Sequence, residues 1–251
     1  MIRVTYLSHS GFLVELEHAY FLFDYYKGDL PEIKTGKPFF VFVSHVHHDH
    51  YRKDIFRLRE YLPELYFILS NDVDAEEARD IISMGPNEEK EVSGCRIRTL
   101  RSTDEGVAFL VQYEGITVYH AGDLNWWHWE EESREYNTMM RRNYQYEINK
   151  LNGEKIDAAF VPVDPRLGEQ YCLGIDCFMK RTDTQAVFPM HFWDNYGIFD
   201  RLLLEKSARE YAEKIQRITK EGQVFELEKK EEKSFAESVR EIMEPDDLSQ
   251  G

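Results

Sequence analysis

The chain has 251 residues, with 31 lysines and arginines against 47 aspartates and glutamates, so its formal net charge is −16. A chain of this length is expected to form one large domain, and its 42% hydrophobic content excludes intrinsic disorder. No apolar run reaches the roughly 18 residues that a membrane span needs, and no secretory signal is recognised. The negative charge disfavours nucleic acid as a general ligand, and the whole pattern predicts a cytoplasmic protein.

Short apolar or alternating runs predict strands, and apolar positions three or four residues apart predict helices. The almost fully apolar run at 39–43 is typical of a strand that is covered on both faces. In chain order, the expected elements are strands 4–7, 12–16, 20–23 and 39–43, helix 55–62, strand 65–69, helix 72–82, strands 95–100, 107–113 and 116–119, helix 129–151, strand 158–163, helix 177–181, strand 186–189, helix 199–218 and strand 224–227.

This mixture of strands and helices predicts an α/β fold with two sheets rather than a purely parallel one. Residues 1–228 are expected to form one domain, and residues 229–251 an acidic helical extension. That extension either docks on a second subunit or frays, so the oligomeric state is left open and a homo-oligomer is compatible with the sequence.

A cluster of histidines directly follows the almost fully apolar strand. His45, His47, His48 and His50 are four of the nine histidines in the chain, and they fall within six positions. Neutral imidazole nitrogens bind borderline divalent ions, and a carboxylate such as Asp49 adds an oxygen ligand. In extended backbone, positions i and i+2 point the same way, so His45 and His47 can reach one ion. The cluster therefore predicts a metal site, with an adventitious His-rich surface loop as the alternative.

Two later positions supply the further ligands that a metal needs. Gly122-Asp123 follows a predicted strand with a turn that directs the Asp123 carboxylate toward the edge where the histidines lie. His191 comes just after another short apolar run. Taken alone, Asp123 is better explained as a turn or helix cap, and His191 as a hydrogen-bonded core histidine. Together with the cluster, both are expected ligands.

This order of motifs resembles the metallo-β-lactamase superfamily across most of the chain. The resemblance rests on His-x-His-x-Asp-His at 45–50, on Gly-Asp at 122–123 and on the late His191. Ser-His-Ser-Gly-Phe at 8–12 and Phe-Asp at 23–24 are similar to the subgroup that includes metal-dependent lactonases of the ascorbate-lactonase type. The resemblance implies a four-layer αββα sandwich with the metal ions at one edge of the paired sheets.

The resemblance also implies which residues hold the metals. The expected ligands are His45 and His47 for the first ion, Asp49, His50 and His191 for the second, and Asp123 as a bridge between the two. Asp24 would orient a ligand imidazole through a hydrogen bond, and His9 would line the mouth of the site.

The chain departs from the superfamily pattern in one loop. Where a further histidine usually binds the first ion, residues 101–106 contain none, and Asp104 is the hypothesised substitute. A carboxylate there makes the ligand set harder, which favours Mn²⁺ or Fe over Zn²⁺. Over the whole site, two divalent ions are the expected cofactors, with Zn²⁺ first and with Mn²⁺ or Fe as the alternatives that the Asp104 hypothesis adds. The competing hypothesis is a weakened first site that is often empty.

The implied function is hydrolysis of a small ester, lactone or phosphodiester by a metal-bound hydroxide, which Asp49 and Asp123 would orient. Trp126 and Arg166 are candidates to line the site of this small-molecule substrate, Arg166 as a clamp for a carboxylate or phosphate. Core packing for Trp126 and an ordinary salt bridge for Arg166 are the alternatives. The competing functions are a non-hydrolytic metalloprotein and a catalytically silent metal-binding protein on the same fold.

Overall fold

Two β-sheets form the centre of the molecule in the computed structural model, which describes residues 1–228. The first sheet contains β1 (Ile2–Ser8), β2 (Gly11–Glu15), β3 (Tyr20–Phe23), β4 (Phe39–Val43), β5 (Leu65–Ser70), β6 (Ile81–Met84) and β13 (Val224–Leu227). The second contains β7 (Glu89–Val92), β8 (Cys95–Arg101), β9 (Val107–Tyr113), β10 (Ile116–His120), β11 (Lys155–Pro162) and β12 (Asp183–Met190). Their spatial orders are β13-β1-β2-β3-β4-β5-β6 and β12-β11-β10-β9-β8-β7.

Each sheet is antiparallel on one side and parallel on the other. Strands β3 to β6 run parallel in the first sheet, and β10 to β12 run parallel in the second. Parallel neighbours place their carboxyl ends at one edge of a sheet, where the loops of α/β proteins carry their reactive groups. The loop that follows β4 therefore lies at one such edge of the first sheet. The loops that follow β10, β11 and β12 lie at one such edge of the second sheet.

The main core lies between the two sheets. The ring centroids of Phe12 and Phe160 are 4.3 Å apart, and those of Phe42 and Phe109 are 5.3 Å apart, so aromatic side chains of one sheet pack directly on the other. Every residue of β4 is buried because the segment Lys53–Glu60 covers the outer face of its sheet, with the Phe56 ring 4.9 Å from that of Phe67.

Three α-helices lie among the described residues: α1 (Arg134–Asn149), α2 (Leu173–Met179) and α3 (Ile198–Leu204). The Phe178 ring of α2 stacks on Tyr119 of β10 at 4.9 Å, and Tyr144 of α1 donates a 2.8 Å hydrogen bond to Gly174 O of α2. Helices thus cover the outer face of the second sheet, and the predicted αββα sandwich is confirmed.

Two predicted helices are wrong. Residues 72–82 contain no helix, and their end forms strand β6, because Ile81 and Ile82 pair with β5 and extend the sheet. The helix predicted at 199–218 ends at Leu204, and the chain continues through short 3₁₀ turns to Ile215, which bridges to Val187 of β12. In both places pairing with a strand outweighs the local helix signals, which are capping residues at 71–74 in the first case and apolar spacing in the second. Strand β7 was not predicted, and the proposed extension 229–251 lies outside the described residues.

The long predicted helix begins later than expected, at Arg134, because Ser133 caps it by accepting a hydrogen bond from Tyr136 N. Within residues 1–228, no helix has the combination of length and apolar character that crossing a bilayer requires.

Gly106 allows the loop after β8 to approach the end of β4. Its φ is +72°, and a Cβ at this position would lie 2.0 Å from Ser44 O. We expect Gly106→Ala to lower the free energy of unfolding by about 3 kcal/mol or more, since it combines left-handed strain with a backbone clash. Gly36→Ala is the matched control, because Gly36 has φ +102° but no atom within 4 Å of such a Cβ. If urea denaturation showed that the two variants lose the same free energy of unfolding, the backbone clash at Gly106 would be relieved and the prediction would be wrong.

Candidate metal centre

The residues predicted as ligands converge at one edge of the sandwich. The histidine cluster follows β4, Asp123 follows β10, and His191 comes directly after β12. Asp123 lies at the centre: its Oδ2 is 3.6 Å from His45 Nε2, and its Oδ1 is 3.3 Å from His50 Nε2 and 3.5 Å from His191 Nε2. A carboxylate with imidazoles on both oxygens has the disposition of a bridge between two cations.

Three overlapping groups of side chains could each hold an ion. In each group the potential ligand atoms lie within 4.8 Å of one another. The groups are His9, Asp49, His50 and His191; His45, His50 and Asp123; and His47, Asp104 and Asp123. The structure thus brings together all seven residues predicted as ligands, and it adds His9.

The buried polar atoms of the cluster fit a cation. His9 Nε2, His50 Nε2 and Asp123 Oδ1 are buried and make no hydrogen bond within the described part of the chain. Burying such atoms without a partner is unfavourable, and buried polar groups in proteins are nearly always paired. Imidazole nitrogens and a carboxylate oxygen that point at one another are the donor set that a divalent ion satisfies.

Asp24 orients two of these histidines. It is fully buried, and its Oδ2 accepts hydrogen bonds from His50 Nδ1 at 2.7 Å and from Ser44 Oγ at 2.6 Å. Ser44 Oγ is in turn 2.9 Å from His45 Nδ1. Because the Nδ1 protons are used in this way, the Nε2 atoms of His45 and His50 face the centre of the cluster.

Asp164 orients His191 through a hydrogen bond with its Nδ1, as Asp24 orients His50. This role of Asp164 was not predicted from the sequence. Its carboxylate is fully buried, with Oδ2 2.9 Å from His191 Nδ1. The signal was present in the sequence, since Asp164 is an acidic residue that follows a buried strand at this edge. Only the neighbouring Arg166 was singled out there.

Burial and neighbouring charges shift the pKa values of the residues in the cluster. Burial would raise the pKa of Asp24, but the neighbouring imidazoles, led by His120 and His50, lower it to about 2. Burial opposes charge on His50, yet Asp123 and Asp24 raise its pKa to about 9. Burial lowers the pKa of His45 to about 4. Ionised carboxylates beside a neutral imidazole are the protonation states that ligate metals, and an ion bound at His50 must displace its proton.

Asp104 lies where the superfamily pattern lacks its histidine, grouped with His47 and Asp123. Its pKa is raised by burial and by the Asp123 carboxylate, so two acids are held close together. We expect Asp104→Ala to bind one of two ions at least about tenfold more weakly, as measured by metal analysis after equilibrium dialysis. Asp183→Ala, an exposed aspartate at the opposite end of β12, is the control. Unchanged stoichiometry and affinity would exclude Asp104 as a ligand.

His9 lies deeper than predicted. It is 4% exposed, its Nε2 is 3.4 Å from Asp49 Oδ2, and its ring is 4.2 Å from the His191 ring. It therefore belongs to the cluster itself rather than to the mouth. His9 and His191 also have positive φ values of 53° and 62°, which is the kind of backbone strain that concentrates at functional sites.

A cavity of about 490 Å³ opens onto the cluster, and the structure corrects which tryptophans line it. Trp127 and Trp129 lie on its wall, and their rings are nearly parallel at 6.1 Å. Trp126 is directed away from this cavity, toward Tyr144 of α1, because successive residues of an extended segment alternate in direction. Arg166 and Trp193 also line the cavity, and the substrate-binding role of Arg166 stays a prediction.

A family model described as a beta-lactamase superfamily domain matches residues 3–138, which is more than half of the chain. The chain belongs to the metallo-β-lactamase superfamily. No curated protein matches the chain. The superfamily fold accounts for the convergence described above, because it places the loops of both sheets around one edge. The narrower resemblance to ascorbate-lactonase-type enzymes stays a prediction.

Several solved structures are similar to the chain in fold. Igni18, a metallo hydrolase from Ignicoccus hospitalis, has a TM-score of 0.58 and 18% identity, covering 90% of this chain and 99% of that one. The metallo-beta-lactamase fold protein YhfI from Bacillus subtilis has a TM-score of 0.56 and 16% identity, covering 90% and 100%. CmlA, a diiron beta-hydroxylase from Streptomyces venezuelae, has a TM-score of 0.56 and 11% identity, covering 90% and 54%. At these identities the likeness concerns the fold.

Proposed function

We propose that the protein is a dinuclear metal-dependent hydrolase that acts on a small ester, lactone or phosphodiester. The observation that carries this proposal is the Asp123 carboxylate, which lies 3.3 to 3.6 Å from the Nε2 atoms of three histidines. His45, His47, Asp104 and Asp123 would hold one ion, and Asp49, His50, His191 and Asp123 the other. Zn²⁺ is the first expectation for both ions. Bound divalent ions would lower the pKa of water toward neutrality and polarise the scissile carbonyl or phosphoryl oxygen.

The remaining chemistry falls to residues of this chain. The Asp49 and Asp123 carboxylates accept hydrogen bonds from the attacking water and so set its orientation. Asp24 and Asp164 keep the ligand imidazoles in one tautomer, so the centre needs no rearrangement when the reaction begins. A cavity of about 490 Å³ lies in the range of small-molecule sites, which supports a small substrate.

One observation supports a second candidate, a non-hydrolytic iron protein. Asp104 in place of an imidazole gives the first ion a carboxylate-rich ligand set, and such sets suit iron or manganese. CmlA, whose fold is similar, is a diiron beta-hydroxylase. A catalytically silent metal-binding protein is the third possibility.

Metal analysis and a hydrolysis screen separate these candidates. Metal-depleted full-length protein is reloaded with Zn²⁺, Mn²⁺ or Fe²⁺ and tested on phosphodiesters, lactones and thioesters. We expect two ions per chain and hydrolysis of at least one class only after loading. Two bound iron atoms with visible absorbance and no hydrolysis would favour the iron protein, and no tight metal binding would favour the silent protein.

A further inference from the structure

We propose that the substrate carries an anionic group, a carboxylate or a phosphate, which binds Arg166 on the wall of the cavity. This inference rests on the hydrolase function proposed above and names the substrate class of the same site. Five features of Arg166 support it: its anchoring, its free N–H groups, its aromatic neighbours, its position and its charge.

Asp164 anchors the guanidinium along one edge. Arg166 Nε donates to Asp164 Oδ1 at 3.0 Å and to Oδ2 at 2.9 Å, and Arg166 Nη2 donates to Oδ2 at 2.5 Å. The carboxylate itself is fully buried and cannot follow a mobile partner into solvent. This two-pronged contact is the strong geometry for an arginine and a carboxylate, and it holds the guanidinium plane in one orientation.

The opposite edge of the guanidinium is left for a ligand. Arg166 Nη1 donates no hydrogen bond within residues 1–228, and the side chain is 50% exposed where it lines the cavity. An arginine carries five N–H donors, and this arrangement uses two of its side-chain nitrogens on Asp164. The unused donors match the spacing of carboxylate or phosphate oxygens.

Two tryptophans flank the guanidinium. Arg166 Cζ is 4.9 Å from the ring centroid of Trp193 and 5.7 Å from that of Trp129. These cation–π contacts restrict its motion before a ligand arrives, which lowers the entropy lost on binding. The parallel rings of Trp127 and Trp129 continue the same wall and offer apolar surface to the body of the substrate.

Arg166 is the one lysine or arginine that lines this cavity in the described part of the chain. The other ionised groups on the wall include Asp49, Asp104 and Asp123, which would repel an anion unless metal ions neutralise them. Arg166 is therefore the one permanently cationic side chain that this wall offers to a substrate anion. The position of Arg166 fixes the orientation of the bound substrate, with the reactive bond of the substrate toward Asp123 and its anionic group toward Trp193.

The test is binding of small anions to Zn²⁺-loaded full-length protein by isothermal titration calorimetry. The probes are butyrate, glutarate and 3-phosphonopropionate, which have one anionic group, a second carboxylate and a phosphonate respectively. We expect at least one of the two probes with a second anionic group to bind roughly tenfold more tightly than butyrate, because a charge-assisted pair with arginine is added. The tighter of the two identifies the anion as a carboxylate or a phosphate.

Arg166→Met should remove the preference for glutarate or 3-phosphonopropionate over butyrate. Arg166→Lys should weaken this preference, since lysine keeps the charge but lacks the planar guanidinium. Arg201→Met is the matched control. Like Arg166, Arg201 pairs with a carboxylate and lies over an aromatic ring, here those of a glutamate and a tyrosine, but it does not line the cavity. Metal content and melting temperature of each variant check that the cluster is intact. Equal binding of all three probes by the unmodified protein, or a preference that survives in Arg166→Met, would overturn the proposal.

Hydrolysis assays keep the two proposals apart. If an Arg166-dependent preference is found but no ester is hydrolysed, the anion site stands and the hydrolase function fails. If metal-dependent hydrolysis is found but calorimetry shows no preference for probes with a second anionic group, the hydrolase function stands and the anion site fails.

Discussion

Asp123→Asn is expected to lower metal-dependent hydrolysis by roughly two to three orders of magnitude. Asp123 Oδ1 faces His50 and His191, whereas Oδ2 faces His45. Asparagine keeps the volume of the side chain but has only one oxygen, so one of these two sides must face an NH₂ group, which cannot bind a cation. The variant also removes a negative charge from between the two proposed ions.

Metal analysis should show that Asp123→Asn retains less than two ions per chain. Asp54→Asn is the control, since Asp54 is exposed and, among residues 1–228, its one ion pair is with Arg52. A variant at Asp123 that kept full activity and two ions would contradict the bridging role.

Asp24→Asn is expected to weaken metal binding by about 10- to 100-fold without touching an ion directly. In the unmodified protein, Asp24 Oδ2 accepts hydrogen bonds from both His50 Nδ1 and Ser44 Oγ. An asparagine NH₂ group at this position donates instead, which favours the His50 tautomer with its proton on Nε2. That proton would occupy the lone pair that faces Asp123 and the metals.

The same substitution should lower the free energy of unfolding by about 2 kcal/mol or more, because buried hydrogen bonds to a charged acceptor are lost. Competition with a chromophoric chelator measures the metal affinity, and urea denaturation with excess chelator measures the stability of the metal-free protein. Loss of stability with unchanged metal affinity would show that Asp24 is only a structural residue.

Asp164 connects the two functions proposed for this site. One carboxylate oxygen, Oδ2, contacts His191 Nδ1, Arg166 Nη2 and, at 3.3 Å, Trp193 Nε1. The group that would hold the substrate anion is therefore fixed by the same carboxylate that orients a metal ligand. The distance between anion and metal is set by one rigid, buried side chain.

Much of this molecule follows from local sequence. Strands β3, β4, β9 and β13 match their predicted limits, because short runs of β-branched and aromatic residues favour a strand, and β3 and β4 are buried along their whole length. The six-residue histidine motif likewise predicts a metal site, since such a density of imidazoles after a strand has no role in a hydrophobic core. Asp104 was also proposed from sequence, by asking what replaces an absent histidine.

Other features are determined by contacts between residues that are distant in sequence. Residues 81 and 82, where capping signals predict the end of a helix, pair with strand β5, and Ile215 of the predicted helix 199–218 bridges to β12, because the sheets present unpaired backbone groups there. His9 belongs to the cluster because its turn lies beside His191, and Trp126 lies outside the cavity, where its ring contacts Tyr144 of α1. Local sequence determined the chemical groups available to this protein. Tertiary packing decided which of them meet, because burial of a polar group depends on partners that no short segment contains.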